Sequence, residues 1–440
     1  MAVSGRRLVG LVAAVLVCGP IFPVIPARAE PRGPNLDPVR EGTAPVSESD
    51  WWFEALHLAE AQKQTTGAGV TIGLVEDSVD PTVPELRGQK LTLGDDCSPH
   101  GGRSEWRKHS RDPEVAHGTT MATLMVGNGR GTDHGKGIRG VAPGAEVKLW
   151  ATTYWEEDDK TWYDCFEAQD DVWDAMLPDS DIVNMSFGSP HVSTFMDLVE
   201  RAQDAGAVVV AAMAASDSDS AQDQPWSRPG VVAVNAAGRD AKVWSATLAD
   251  RDVVITAPGV EVGTGTIRPD GWHSDVWHDG TSVATAIVSG ALALVKAKYP
   301  DSTGNQLIQH LIHNAGGRTY GWNKRTGFGF VSVTRMLESS PTQWPDENPL
   351  LNGPRQAYFD YPLWSSSLID APADANDKWA KAERAAAAKA ADAASGPEDG
   401  RSGDGESGLL VWAWLAGGAA LIVVAVGATA GILRRKNSGV

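Results

Sequence analysis

An α/β fold with a mainly parallel sheet flanked by helices is predicted for residues 70 to 340. Apolar, β-rich runs recur along this stretch, and segments of helical character separate them. A chain of 440 residues has room for one large domain or two ordinary ones, with length left for tails and linkers. A third observation adds a C-terminal transmembrane helix: 25 uncharged residues run from Leu409 to Leu433, and about 20 suffice to cross the hydrocarbon core.

The elements follow in order. Arg6 and Arg7, an apolar run from Leu8 to Cys18, and Ala27 and Ala29 spaced as an A-x-A cleavage site predict a signal peptide over residues 1–29. Residues 30–50, rich in Pro, Gly and charge, predict an extended arm, and a folded domain is expected over 51–340. "WWFEALHLAEAQKQ" (51–64) has helical character, and "GAGV" turns the chain into the first strand. The strand candidates are "VTIGLV" (70–75), "EVKLWAT" (146–152), "DIVNMSF" (181–187), "AVVVAAM" (207–213), "VVAVNA" (231–236) and "DVVITAPG" (252–259). The acidic stretch 154–176 reads either as a surface loop selecting basic substrates or partners, or as a solvated loop leading into a helix. His310 and His313 lie in a predicted helix without the carboxylate and third ligand of a zinc protease, and read as an ordinary helix face.

Residues 341–408 read as a linker or stalk: a Pro- and aromatic-rich part to 371, then a helix former with no apolar face, then flexible coil. Arg434, Arg435 and Lys436 follow the 409–433 helix at once. The positive-inside rule therefore predicts a cytoplasmic tail over 434–440, with the large domain extracellular at the cell membrane. The formal net charge of −18 and pI of 5.0 offer no basic patch, which excludes nucleic acid as a partner. Past the signal peptide two cysteines remain, and export favours a Cys97–Cys165 disulfide. The alternative, a metal site on Cys97 and His100, lacks a second pair of ligands, so no metal or other cofactor is predicted; structural calcium stays open. Seventeen Trp residues are many, and Trp51, Trp52, Trp155 and Trp162 stand in arm and loop contexts where exposed aromatics mark contact surfaces.

Three motifs carry chemistry: "VEDSVDP" around Glu76, "AHGTTMA" around His117 and "DGTSVATAIVSG" around Ser282. A serine nucleophile needs an imidazole base, itself held by a buried carboxylate. Ser282 opens an Ala-rich helix running toward Tyr299, whose dipole favours an oxyanion near its N-terminus. Singly, each motif is ordinary: a Ser before a helix is usually its cap, and a lone HGT is a turn.

Together, in the order carboxylate, histidine, serine, they resemble the subtilisin-like serine proteases. The resemblance runs over residues 51–338 and includes "GVAPGAEV" (140–147), "NMSFG" (184–188), "APG" (257–259) and "TGFGFVSVTRML" (326–337). It implies the subtilisin-like three-layer fold and an endopeptidase acting on protein or peptide substrates. His117 then matches the base, Ser282 the nucleophile, and Ser186, Phe187 and Gly188 the strand lining the substrate cleft. The arm, the 51–81 stretch, the signal peptide and the anchor resemble the mycosins, membrane-anchored proteases of type VII secretion in actinobacteria. That likeness implies a secretion membrane complex as partner.

Three departures stand out. The family's catalytic Asp falls on Glu76, with Asp77 as the alternative through a local bulge. The Gly-Asn pair that ends the oxyanion strand is replaced by Ala214 and Ala215, with Ser216 a substitute only on a different backbone path. In a protease of this same family, losing that donor costs roughly a hundred- to a thousand-fold in rate. Ala286 replaces the family's Pro after the serine. The paired losses keep a second reading open, a catalytically inactive scaffold or peptide-binding module. If the enzyme is active, Glu76→Asp is expected to leave the rate equal or raise it.

Overall fold

All six apolar runs read as strands enter one sheet. The computed structural model describes residues 39–40, 50–93, 112, 115–132, 135–156, 160–164, 179–187, 192–214, 224–316 and 321–352. Along the chain come β1 (Val39–Arg40), α1 (Trp51–Ala55), α2 (Leu58–Gln64), β2 (Thr71–Glu76), β3 (Lys90–Leu93), α3 (Ala116–Val126), β4 (Asn128–Arg130), β5 (Lys136–Arg139) and β6 (Glu146–Ala151). Then follow β7 (Thr153–Glu156), β8 (Thr161–Asp164), β9 (Ile182–Met185), α4 (Val192–Asp204), β10 (Val208–Ala212), β11 (Val232–Ala237) and β12 (Val253–Pro258). The last are β13 (Val262–Arg268), β14 (Gly271–His278), α5 (Thr281–Lys298), α6 (Gly304–His313) and α7 (Val333–Glu338).

The main sheet has seven strands in the order β12-β11-β10-β9-β2-β6-β3, and its pairings are parallel. Every position of β9, β10, β11 and β12 is buried, as a parallel sheet covered on both faces requires. β3 escaped sequence reading because it is short and at the edge, with Lys90 and Thr92 exposed. The connections from β2 run to one side of the sheet and those from β9 to the other. The C-terminal ends of these two neighbours are therefore the switch point, the place where α/β sheets bind ligands.

α5 packs against β2, β9, β10, β11, β12 and α3, and is buried from Thr281 through Val295. Among the described residues it is the one helix long and apolar enough to cross a membrane, yet it is a core helix of the domain. The signal peptide and the 409–433 helix lie outside the described residues.

The helical stretch 51–64 divides into α1 and α2 at His57, which takes a left-handed conformation with φ of 52°. Trp51 and Trp52 correct the expectation of an exposed contact surface, being 7% and 0% exposed. Trp51 Nε1 donates to the Glu261 carbonyl at 2.8 Å, and the Arg139 guanidinium covers the Phe53 ring at 3.8 Å. Where the arm is described it forms β1, which pairs antiparallel with His278 and Trp277 of β14. The acidic stretch opens as a β7–β8 hairpin in which Trp155 stands opposite Trp162; residues 157–159 and 165–178 lie outside the described set.

The linker expected from residue 341 begins no earlier than 353, because 341–352 packs on the domain. Thr303 and Asn305 both donate to Asp346, Gln306 donates to the Trp344 carbonyl, and Gly230 N donates to Leu350 O at 3.1 Å. Trp344 Nε1 also donates to Nδ1 of buried His310 at 3.0 Å, while His310 Nε2 donates to the Met336 carbonyl at 2.8 Å. Both ring nitrogens are thereby used in the neutral form.

Burial pushes the His310 pKa below the ordinary histidine range, with the Met336 carbonyl opposing the shift. The unfolded chain therefore binds this proton first as pH falls, so His310 supports folding fully above about pH 6.5 and the support is lost below it. A melting series from pH 7.5 to 5.5 is expected to show a steeper fall in Tm for wild type than for His310→Gln. Parallel curves would remove this histidine from the pH response.

Candidate active site

β2 is a buried apolar strand, and its last residue places a carboxylate at the sheet's C-terminal edge. Glu76 is 1% exposed, and its Oε2 accepts from His117 Nδ1 at 3.0 Å and from the Asp77 backbone N–H at 3.3 Å. Its Oε1 is buried without a hydrogen-bond partner among the described residues. Because a carboxylate only accepts, the contact fixes the proton on Nδ1 and leaves Nε2 as the basic nitrogen.

Asp77, the alternative carboxylate, is held by Thr152, which follows β6, and by Thr153, which opens β7. Its Oδ1 accepts from Thr152 Oγ1 at 3.3 Å, its backbone carbonyl accepts from Thr153 Oγ1 at 2.9 Å, and Thr152 N donates to the Glu76 carbonyl at 2.7 Å. The strand thus ends in a ladder that turns Asp77 toward β6 and Glu76 toward α3.

Each letter of "HGT" has a task. His117 sits in the first turn of α3. A Cβ on Gly118 would lie 2.2 Å from the Ser78 carbonyl oxygen and 3.2 Å from Glu76 Cβ, so only glycine lets the helix approach β2 this closely. Thr119 Oγ1 accepts from Asp80 N at 2.8 Å and donates to the Val115 carbonyl at 2.6 Å, tying the helix start to the loop after β2.

Ser282 is the second residue of α5, capped by Gly280, so its side chain is not the helix cap. Gly280 N donates to the Gly259 carbonyl at 2.7 Å, and a Cβ on Gly259 would meet the Gly280 oxygen at 2.6 Å; the "APG" glycine is what admits this turn. Thr281 Oγ1 donates to the Met213 carbonyl at 2.7 Å, which joins the helix start to the end of β10. α5 packs directly on α3, the helix that carries His117.

Ser186 was expected to line the cleft. Its hydroxyl is fully buried, 2.9 Å from Asn184 Oδ1 and 3.1 Å from the Ser282 carbonyl oxygen, so the side chain faces inward. Phe187 is 9% exposed, and Ala214 follows the end of β10, its carbonyl accepting from Leu248 N at 3.0 Å. Gly188, Ala215, Ser216, Cys97 and Cys165 lie outside the described residues. Among the described residues no group of three or more His, Cys, Asp or Glu is gathered to hold a metal.

The residues missed from sequence are Asn184, Thr285 and Ser289, described further below. A signal existed for them: Thr281, Thr285 and Ser289 recur every four residues in an otherwise apolar helix, which places their hydroxyls on one face.

The parallel sheet, the Glu76–His117 contact and the serine at the start of a buried helix define a protein of the serine-hydrolase kind. The model of the subtilase family (peptidase S8) matches residues 67–329, more than half of the chain, and the chain belongs to that family. Fervidolysin of Fervidobacterium pennivorans is 26% identical over 344 residues, 71% of this chain and 47% of that protein. Subtilisin E of Bacillus subtilis (strain 168) is 29% identical over 256 residues, 57% of this chain and 61% of that one. The chain thus spans about half the length of the first relative and 61% of the second.

Among solved structures, fervidolysin superposes with a TM-score of 0.54 at 23% identity, covering 70% of this chain and 47% of that one. MycP1 from the ESX-1 type VII secretion system gives 0.53 at 21% identity, with coverage of 73% and 94%. MycP1 from Mycobacterium smegmatis gives 0.51 at 21% identity, with coverage of 72% and 91%. These likenesses show a shared fold.

Proposed function

We propose that the protein is a membrane-anchored, extracellular serine endopeptidase that hydrolyses peptide bonds, with Ser282 as nucleophile, His117 as general base and Glu76 as the carboxylate that orients it. The observation that carries the reading is the buried 3.0 Å contact between Glu76 Oε2 and His117 Nδ1. Ser282 Oγ attacks the scissile carbonyl carbon while His117 Nε2 takes its proton. Glu76 holds the imidazole in the needed tautomer and stabilises the imidazolium. The same proton is then delivered to the leaving amine, and water attacks the acyl-enzyme by the reverse route. The N-terminus of α5 supplies backbone donors and a dipole for the oxyanion.

The signal peptide of residues 1–29, the 341–408 stalk, of which 353–408 follow the packed segment, and the 409–433 helix support export and anchoring. Membership of a type VII secretion complex rests on the N-terminal stretch and on the fold shared with MycP1 from the ESX-1 system. A second reading, an inactive scaffold, is favoured by one observation: Ala214 and Ala215 stand where the family has a Gly-Asn pair, which puts Ala215 at the position of the oxyanion Asn. The two separate on reaction with a fluorophosphonate, which modifies only an activated serine. Wild type is expected to be labelled and Ser282→Ala not, while equal behaviour of the two would leave the scaffold.

A further inference from the structure

Besides Ser282, the buried residues of α5 are apolar except for a line of hydroxyls at Thr281, Thr285 and Ser289, each 7% exposed or less. Such groups are costly inside a core unless their bonds are complete. Thr285 Oγ1 donates to the Thr281 carbonyl at 2.8 Å and Ser289 Oγ to the Thr285 carbonyl at 3.0 Å, which uses both protons within the helix. Ser289 Oγ can then only accept, and it does so from Asn184 Nδ2 of β9 at 3.0 Å. This orients the amide: Asn184 Oδ1 faces Ser186 Oγ at 2.9 Å, and the same hydroxyl lies 3.1 Å from the carbonyl of Ser282.

The single Ser186 proton serves one of these two acceptors at a time, so the fixed link is the Asn184–Ser289 bond between β9 and the middle of α5, with Ser186 just past β9 beside the nucleophile's own carbonyl. Asn184, Ser186 and Ser289 are all 0% exposed. Apolar packing alone fixes how deep a helix sits on a sheet but resists sliding and rotation weakly, because dispersion contacts are numerous and non-directional. A hydrogen-bonded amide between β9 and α5 fixes both.

We infer that Asn184 and Ser289 are positioning residues whose hydrogen bond sets the register of α5 on the sheet and so aims position 282 at His117. This rests on the proposed roles of Ser282 and His117, and it deepens that reading by naming what holds the pair in line. Neither residue touches substrate. Their loss is expected to act on the reactivity of position 282 and to leave substrate binding unchanged.

The test uses the full chain carrying Ser282→Cys, whose thiol reports a nearby imidazole without any need for turnover. Alkylation by iodoacetamide is followed against pH. With Asn184 and Ser289 intact, the thiol is expected to react as a thiolate at neutral pH. Asn184→Ala or Ser289→Ala is expected to move the midpoint up toward the ordinary value of about 8.5 and to slow alkylation at pH 7 by about tenfold. The double variant is expected to cost no more than the larger single one, since both remove one interaction.

In the Ser282 protein, the same variants are expected to slow fluorophosphonate labelling by about ten- to a hundred-fold, the scale of a displacement of up to about 1 Å. Thermal melts run beside these confirm folding. If Asn184→Ala does not fold, Ser289→Ala breaks the same bond and carries the test. A lowered Tm with unmoved alkylation profiles would overturn the inference and leave the pair a packing feature. An ordinary thiol at position 282 in the otherwise intact chain would also overturn it. Absent fluorophosphonate labelling of wild type, with an alkylation profile that still depends on Asn184, would sink the protease reading alone and uphold the positioning role.

Discussion

Glu76→Ala is expected to slow fluorophosphonate labelling of Ser282 by about 10⁴-fold, the scale seen when the orienting carboxylate is removed from serine proteases, one of them from this family. The physical reason is the tautomer: without an acceptor at Nδ1, the imidazole is free to carry its proton on Nε2, where it cannot take one from serine. Glu76→Asp is the sharper variant. Sequence comparison favours aspartate as equal or better, but the geometry reverses that expectation. Glutamate already reaches Nδ1 at 3.0 Å from where the β2 backbone stands. Shortening the side chain by one methylene withdraws the carboxylate by up to about 1.5 Å, which at a rigid site costs about a hundred-fold. Labelling rates of the three proteins at pH 7.5 decide the matter, and a Glu76→Asp rate equal to or above wild type would show that the strand adjusts to the shorter residue.

Gly118→Ala is expected to match Glu76→Asp in its effect, by a steric route. Its Cβ would lie 2.2 Å from the Ser78 carbonyl oxygen, so α3 must retreat from β2 by about 1 Å to restore contact distance. His117 is the adjacent residue and moves with it, away from Glu76. A loss of about 10²-fold in labelling is expected, together with about 1–3 kcal/mol of stability. Stopped labelling with an unchanged Tm would point to rearrangement of His117 alone; normal labelling would show that the loop carrying Ser78 yields instead.

Much of the fold is written locally. β9, β10, β11 and β12 are buried throughout, so their apolar runs stand out against the helical segments between them, and their order along the chain leaves few sheet topologies. What stays hidden is tertiary. Trp51 reads as an exposed arm residue because its acceptor, the Glu261 carbonyl, is 210 residues away. β3 and the β13–β14 hairpin lack continuous burial, and β1 is a strand only because β14 offers it an edge.

The site divides the same way. Glu76, His117 and Ser282 sit in short motifs whose residue types announce acyl-transfer chemistry. The preference for Glu76 over Asp77 draws on the structure, where Glu76 Oε2 meets His117 Nδ1 while Asp77 Oδ1 accepts from Thr152 Oγ1. Asn184 looks like one polar letter in a buried strand, and its meaning appears only when Ser289, 105 residues on, is seen opposite it.

The central claim, that Ser282 is a nucleophile activated by a Glu76-held His117, is tested most directly by locating the fluorophosphonate adduct by mass spectrometry in the folded full-length protein. The account predicts a single adduct on the peptide carrying Ser282, lost on prior unfolding and absent from His117→Ala. An adduct on another serine, or none on the folded protein, would contradict it.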